Sequence, residues 1–257
     1  MHPEISVIMP SYNAAATIEN SVLSVVKQNY SNWELLIIDD ASSDSSVSKI
    51  ESLRSQDTRI KLFKHGEHTS SPAAARNYGI SLANGRYISF LDADDIWSPD
   101  KLSTQITFMK HNDIAISCTA YEVINEFSVK VGSFIPPESI DYQQLLKHNS
   151  IGCLTVMYDT KKIGKRYFPL CGHEDYALWL EIVKDGLIVY SIPEFLAQYR
   201  LSHGSITHNK LRLFRYFWSI YRKREKFPPL ISAYYCLRYA WCHRGKYKPT
   251  NKKQALK

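Results

Sequence analysis

Residues 87–97 read YISFLDADDIW, and the change of character inside that stretch decides how the chain is built. Tyr87 to Leu91 is a run of β-branched, aromatic and apolar residues of strand type. Asp92, Asp94 and Asp95 then follow within four positions, where like charges repel and no sequence neighbour is basic. Two readings are open. In one, Asp95 or Ser98 caps the next helix, with Pro99 at its first position. In the other, a cation absent from the sequence binds at the strand end.

Working outward, the flanking segments alternate between the two periodicities. ISVIMP (5–10), WELLIID (33–39), IKLF (60–63) and YISFL (87–91) read as strands. Residues 14–28, 44–54, 72–83 and 98–111 read as helices; Ile18, Val22, Val25 and Val26 share one face of the first, and Val47, Ile50 and Leu53 one face of the second. Strand and helix in strict alternation predict an open α/β sheet with helices on both faces. In such sheets ligands collect outside the carboxyl ends of the strands. Ser11, Tyr12 and Asn13 stand at the first such end, Asp39 and Asp40 at the second, Asp92 and Asp94 at the fourth. Three strand ends therefore direct hydrogen-bonding groups to one rim.

Beyond residue 114 the alternation loosens. IAISCTAYEVI, SVKVGSF and CLTVMY (153–158) read as strands and SIDYQQLLKH (139–148) as a helix. CGHEDYALWLEIVKDG (171–186) reads as a helix opening on Glu174 and Asp175, with Leu178, Trp179 and Ile182 turned inward. Acids in a first helical turn complement the helix dipole. Residues 208–225 and 228–244 read as two further helices.

Composition excludes several classes. Of 257 residues, 44% are hydrophobic and 22% charged, as in an ordinary globular protein. No run approaches 18 apolar residues, and MHPEISVIMP lacks the basic and apolar regions of a signal peptide. Five cysteines without a C-x-x-C pair favour reduced thiols in a cytoplasmic protein over a disulfide framework or a zinc site. The net charge of +7 is unevenly spread: residues 1–209 hold 18 Lys and Arg against 24 Asp and Glu, whereas residues 210–257 hold 14 against Glu225 alone. An acidic body with a basic, aromatic tail calls for a local anionic partner rather than nucleic acid.

ISVIMPSYN, LLIIDDASSD, AAARNYGISLANGRYISFLDADDIW and GHEDYALWLEI, in this order across residues 5–205, resemble family 2 glycosyltransferases of the GT-A fold. IGCLTVMYDTKKIGK and GHEDYALWLEI are similar to segments of bacterial O-antigen enzymes in that family. The resemblance implies a Rossmann-like central mixed sheet flanked by helices over residues 1–207, with a nucleotide-sugar half (about 1–112) and an acceptor half (about 113–207), followed by a helical basic extension (208–257). It implies an inverting transfer of a hexose, glucose first among the candidates, from a UDP-sugar to an N-acetylhexosamine on undecaprenyl diphosphate, forming a β-linkage, β-1,3 foremost. Galactosyl or N-acetylhexosaminyl transfer in the same pathway class is the alternative.

Position by position, the resemblance implies that Pro10, Tyr12 and Asp40 hold the uracil and that Arg76 sits near the base or diphosphate. Asp92 contacts the ribose, Asp94 the metal, Mn²⁺ or Mg²⁺. Asp175, with Glu174 beside it, is the base. In YRLSHGSIT (199–207), Arg200 and His203 fall where relatives close over the diphosphate, which makes His203 a candidate further metal ligand. Relatives commonly carry glycine where this chain has Ser71. Tyr176 and Trp179 are candidates for sugar stacking, with helical spacing placing one of them in the core.

In LRLFRYFWSIYRKREKF (211–227), Phe214, Trp218 and Tyr221 fall three or four apart beside a basic face. Such a helix suits an anionic membrane interface or packing on the catalytic body. A lipid-linked acceptor points to the former, on the inner face of the bacterial cytoplasmic membrane. Two other classes compete: a sugar nucleotidyltransferase, which would carry a glycine-rich basic loop after the first strand, and a non-catalytic binding module. The loop is absent, and no nucleic-acid motif accompanies the tail.

Overall fold

The computed structural model describes residues 2–65, 68–69, 71–201, 210–243 and 248–249. The elements run β1 (Ile5–Ser11), α1 (Ile18–Val26), β2 (Trp33–Asp39), α2 (Ser46–Gln56), β3 (Ile60–Lys64), α3 (Pro72–Leu82), β4 (Tyr87–Phe90), β5 (Ile96–Trp97), α4 (Lys101–His111), β6 (Ile116–Ile124), β7 (Lys130–Phe134), β8 (Ser139–Ile140), α5 (Tyr142–Lys147), β9 (Met157–Asp159), α6 (Thr160–Ile163), α7 (Glu174–Lys184), β10 (Val189–Arg200), α8 (Lys210–Ser219), α9 (Pro229–His243) and β11 (Lys248–Pro249).

β3, β2, β1 and β4 are parallel neighbours in that order. β9 then runs antiparallel between β4 and β6, and β10 pairs parallel with β6. The sheet is thus mixed and flanked by helices, as the sequence implies. β2 is buried at every position, the mark of a parallel strand covered on both faces. Alternation sorts the strand residues into two cores. Ile5, Val7, Met9, Leu35 and Ile37 meet Val22 and Val25 of α1 and Leu102 and Ile106 of α4. Ile8, Leu36, Ile88 and Phe90 meet Ile80 of α3, Trp179 of α7 and the C-terminal helices.

The chain steps from β1 outward to β2 and β3, then returns to the other side of β1 for β4. β1 pairs with β4 only as far as Ile8 and Phe90, yet with β2 to Ser11 and Asp39. The Leu91 N–H donates to the Ile8 carbonyl (3.1 Å), the last bond on that edge. Pro10, two residues on and facing the same edge, has no N–H to continue the ladder. The strands part there and open a crevice at the topological switch point, where open α/β sheets bind ligands.

Several boundaries differ from the sequence expectation. α4 starts at Lys101 behind Asp100, not at Pro99 behind Ser98. Asp95 is not a cap: its carboxylate accepts from the Arg200 N–H (2.8 Å) and so fastens β10 to the β4 loop. Residues 153–155 form a 3-10 turn before the short strand β9. Tyr176 and Trp179 are both fully buried, so neither is available to a sugar. In the tail, Phe217, Ile220 and Tyr221 form the packed face, whereas Phe214 is 45% exposed. Tyr221 shares a hydrogen bond with Tyr176 (2.8 Å) and donates to the Leu146 carbonyl (3.1 Å). All five cysteines are free. Among the described residues, no helix is long and apolar enough to cross a membrane.

Candidate active site

A cavity of about 900 Å³ occupies the crevice. Pro10, Tyr12, Asp40, Arg76, Asp92 and Asp94, the six residues expected to hold the nucleotide-sugar, all line it, together with His68 and Arg200. Glu174 and Asp175 are not among its lining residues.

The β1 end of the wall is stapled to the loop after β2. Asn13, at φ 46°, accepts the Ser43 N–H on Oδ1 (2.8 Å) and donates its own N–H to Ser42 Oγ (2.9 Å). Ala14 N–H donates to Ser46 Oγ (2.8 Å). Asp39 accepts both the N–H and the hydroxyl of Ser42. Its role is therefore to shape this loop. The frame leaves Tyr12 48% exposed in the cavity wall, its ring stacked on His68 (centroids 3.9 Å, 17° between planes). Asp40 fixes that stack from behind: Oδ2 lies 2.8 Å from His68 Nδ1, and Oδ1 accepts the Thr69 N–H (2.9 Å). Sequence reasoning missed His68, which lies in a loop without periodicity. Ser71 stands where relatives have glycine, at an extended φ of −138° that needs no glycine, and accepts the Ala74 N–H as N-cap of α3.

The puzzle of the uncompensated acids is resolved in part by two arginines far away in sequence. Arg76, 5% exposed, donates through Nη2 to Asp92 (2.6 Å) and through Nη1 to Glu174 (2.8 Å). One buried guanidinium thus joins the β4 loop to the first turn of α7 in charge-assisted bonds. Arg200 donates from Nε to the Asp94 carbonyl (2.9 Å) and from Nη1 to the Asn125 carbonyl (3.1 Å). Arg76 is consequently committed to two carboxylates, beyond its expected place near the base or diphosphate.

Asp94 is left out of these pairings. Among the described residues no side chain donates to its carboxylate. Burial, reinforced by the charge of Asp92, raises it from the usual 3.8 to about 6, with Arg200 and Arg76 offsetting only part. A carboxylate charged at neutral pH against that cost, on a cavity wall, suits a hard divalent cation that carries further oxygen ligands of its own. Among the described residues no cluster of three or more His, Cys, Asp or Glu could hold a metal ion. His203 lies outside the described residues.

Glu174 and Asp175 open α7 behind His173, whose left-handed backbone (φ 56°, ψ 49°) turns the chain into the helix. Burial and the neighbouring Asp175 raise the Glu174 carboxyl despite Arg76. Burial pushes the Cys153 thiol well up, with Arg76 opposing and Asp92, Asp175 and Glu174 adding to the rise. Glu174 is held by Arg76, and Asp175 stands beside it in the first turn of α7.

Comparisons with known proteins bear on this arrangement. The glycosyl transferase family 2 profile matches residues 6–167. The chain is 44% identical over 236 residues, 91% of each chain, to the Escherichia coli UDP-Glc:α-D-GlcNAc-diphosphoundecaprenol β-1,3-glucosyltransferase WfgD. It is 38% identical over 240 residues, 93% of this chain and 95% of the other, to the putative teichuronic acid biosynthesis glycosyltransferase TuaG of Bacillus subtilis. Among solved structures, S. aureus TarS 1-349 with UDP-GlcNAc superposes at a TM-score of 0.69 and 18% identity, covering 84% of this chain and 65% of that one. The mannosyltransferase PcManGT of Pyrobaculum calidifontis, with GDP-Man and Mn²⁺, gives 0.68 at 18% identity, covering 95% and 70%. A switch-point cavity walled by strand-end carboxylates, on a sheet shared with these GT-A enzymes and within a matching profile, makes the chain a member of glycosyltransferase family 2.

Proposed function

We propose that this protein transfers glucose from UDP-glucose to N-acetylglucosamine carried on undecaprenyl diphosphate, inverting the anomeric centre to give a β-1,3 linkage. The observation that carries the transferase chemistry is the Asp94 carboxylate, buried in the cavity wall beside Asp92 with no side chain among the described residues donating to it. The choice of donor and acceptor is supported by the Escherichia coli relative, which spans nearly the whole chain.

Tyr12 offers an aromatic face to the uracil, with Asp40 and His68 fixing its orientation. Asp92, one oxygen held by Arg76 and the side chain 33% exposed, presents the rest of its carboxylate to the ribose. Asp94 would hold Mn²⁺ or Mg²⁺ with the diphosphate, and the cation would supply Lewis-acid stabilisation of the departing phosphate oxygen. Asp175 takes the proton from the acceptor hydroxyl as that oxygen forms its bond to C1. The C1–O bond to the β-phosphate breaks, and its electron pair leaves with UDP. Attack from the face opposite UDP turns an α-linked donor into a β-glycoside. Glu174, ion-paired to Arg76, is a positioning residue that ties the α7 turn to Asp92. A lipid-linked acceptor places the enzyme at the membrane surface.

The experiment is acceptor-stimulated UDP release with UDP-Glc, UDP-Gal, UDP-GlcNAc and UDP-GalNAc, using a water-soluble GlcNAc-diphosphate-alkyl acceptor and assigning the product linkage by NMR. The reading expects UDP-Glc to dominate and a β-1,3 product. Release unaffected by acceptor, or pyrophosphate as product, would overturn it; preference for another donor would overturn the glucose assignment alone.

A further inference from the structure

Helix α9 is apolar on two opposite faces, and the described residues cover only one. Ser232, Cys236 and Tyr239 are buried, with the Tyr239 ring packed on Phe217 of α8 at 3.7 Å between ring centroids and 32° between planes. Leu230, Tyr234, Leu237 and Trp241 recur at i, i+4, i+7 and i+11, two residues out of phase with that stripe and so about 200° round the helix. They are 86, 53, 69 and 76% exposed. Four large apolar side chains in one exposed row are more than the scattered hydrophobics of an ordinary surface, and such rows mark interaction sites.

Charge says which partner fits. The Arg238 guanidinium lies against Tyr234, donating to its hydroxyl (3.4 Å), and Lys223 and Lys226 are exposed in the turn before the helix. Glu225, the one acid after residue 209, is neutralised by Lys184 (2.8 Å) and bound by Tyr142. A second copy would bring two strongly cationic tails together. Residues 244–257 hold six Lys and Arg and few apolar residues, a composition ill suited to covering such a stripe. Leucines flanked by Tyr, Trp and basic side chains instead match the polarity profile of a bilayer interface, where rings lie at headgroup level and cations meet lipid phosphates.

We propose that the Leu230–Tyr234–Leu237–Trp241 face of α9 docks the protein on an anionic lipid bilayer. The proposal rests on the reading that the acceptor is lipid-linked, and it moves the contact from the Phe214–Trp218 face expected from sequence. α9 packs on α8, whose Phe217 ring lies 5.0 Å from the His173 ring and whose Tyr216 ring lies against Gly172. α9 itself reaches the first turn of α7 through Tyr239, whose ring lies 6.1 Å from that of Tyr176, the residue after Asp175, so the docked helix is joined to the turn that a lipid-bound sugar would approach.

The test is co-sedimentation of the full chain with phosphatidylglycerol/phosphatidylethanolamine vesicles and with pure phosphatidylcholine vesicles, comparing wild type with a Leu230→Gln/Leu237→Gln/Trp241→Gln variant. Wild type is expected to bind the anionic vesicles in a salt-sensitive manner. The variant should bind at least roughly tenfold more weakly, because affinity scales with the apolar area inserted, while transfer to the water-soluble acceptor stays unchanged. Equal binding of variant and wild type, absence of wild-type binding, or a variant that instead converts a dimer to a monomer in sedimentation velocity would each overturn the proposal. Failure of wild type on the soluble acceptor would overturn the transferase reading, leaving the vesicle result to stand by itself.

Discussion

The carboxylate of Asp94 stays ionised at neutral pH against burial and against Asp92, so removing its charge should stabilise the protein while removing its use. The rise from 3.8 to about 6 is about two units at about 1.4 kcal/mol each, a ceiling of about 3 kcal/mol; solvent reaching the cavity and local relaxation bring the expectation to about 1–2 kcal/mol. The sign follows from linkage. Folding raises this acid's pKa, so the penalty is absent below pH 3.8, grows between 3.8 and about 6, and is complete above. Asp94→Asn carries no charge at any pH. Its melting temperature should exceed that of wild type by about 2–8 °C at pH 8 in EDTA, taking about 2–4 °C per kcal/mol for a chain of this size, and the difference should vanish near pH 4. Adding UDP and Mn²⁺ at pH 8 should raise the melting temperature of wild type but not of the variant. Differential scanning fluorimetry across pH reads all of this. A variant no more stable than wild type at pH 8, or an offset independent of pH, would refute the argument, since packing rather than charge would then explain the change.

Three further outcomes test the rest of the site. Asp175→Asn should lower transfer by about 10²–10⁴-fold while leaving UDP-glucose affinity by calorimetry nearly unchanged; near-normal turnover would remove Asp175 as the base. Arg76→Met strands Asp92 and the more deeply buried Glu174 without their shared cation, so urea denaturation should show a loss of about 3–5 kcal/mol, partly recovered in Arg76→Lys, whose single ammonium cannot span both carboxylates. Gly172→Ala sets a Cβ 2.2 Å from the Tyr216 ring; kcat should fall with donor KM unchanged, and a second change, Tyr216→Ala, should restore it if the displaced turn is the cause.

The donor side of the fold was legible because β1, β2 and β4 are short buried runs, and these strands and β3 are separated by helices with apolar periodicity. The strand ends, and hence Tyr12, Asp40, Asp92 and Asp94, could be placed from that alternation, whereas Pro10 came from the family resemblance. β10 gave no comparable signal: register shifts between Ile192, Phe195 and Ala197, around Pro193, break its alternation. Nor could spacing reveal that Arg76 answers the acids, since Glu174 lies 98 residues from it. Arg200 reaches the β4 loop only because β10 ends there. The tail was misread in phase. The π-helical turn Ile220–Arg224 interrupts the 3.6-residue period, so counting Phe214, Trp218 and Tyr221 as one stripe mixed an exposed ring with a buried one.

The central claim is that Asp94 holds the cation that binds the sugar diphosphate, with Asp175 facing the sugar from the other side. Anomalous scattering from a crystal of the complex with UDP-glucose and Mn²⁺ tests it most directly. The account predicts a manganese peak bonded to the Asp94 carboxylate and to both phosphates, with glucose C1 turned toward Asp175. A peak on other residues, or a sugar whose C1 points away from Asp175, would contradict it.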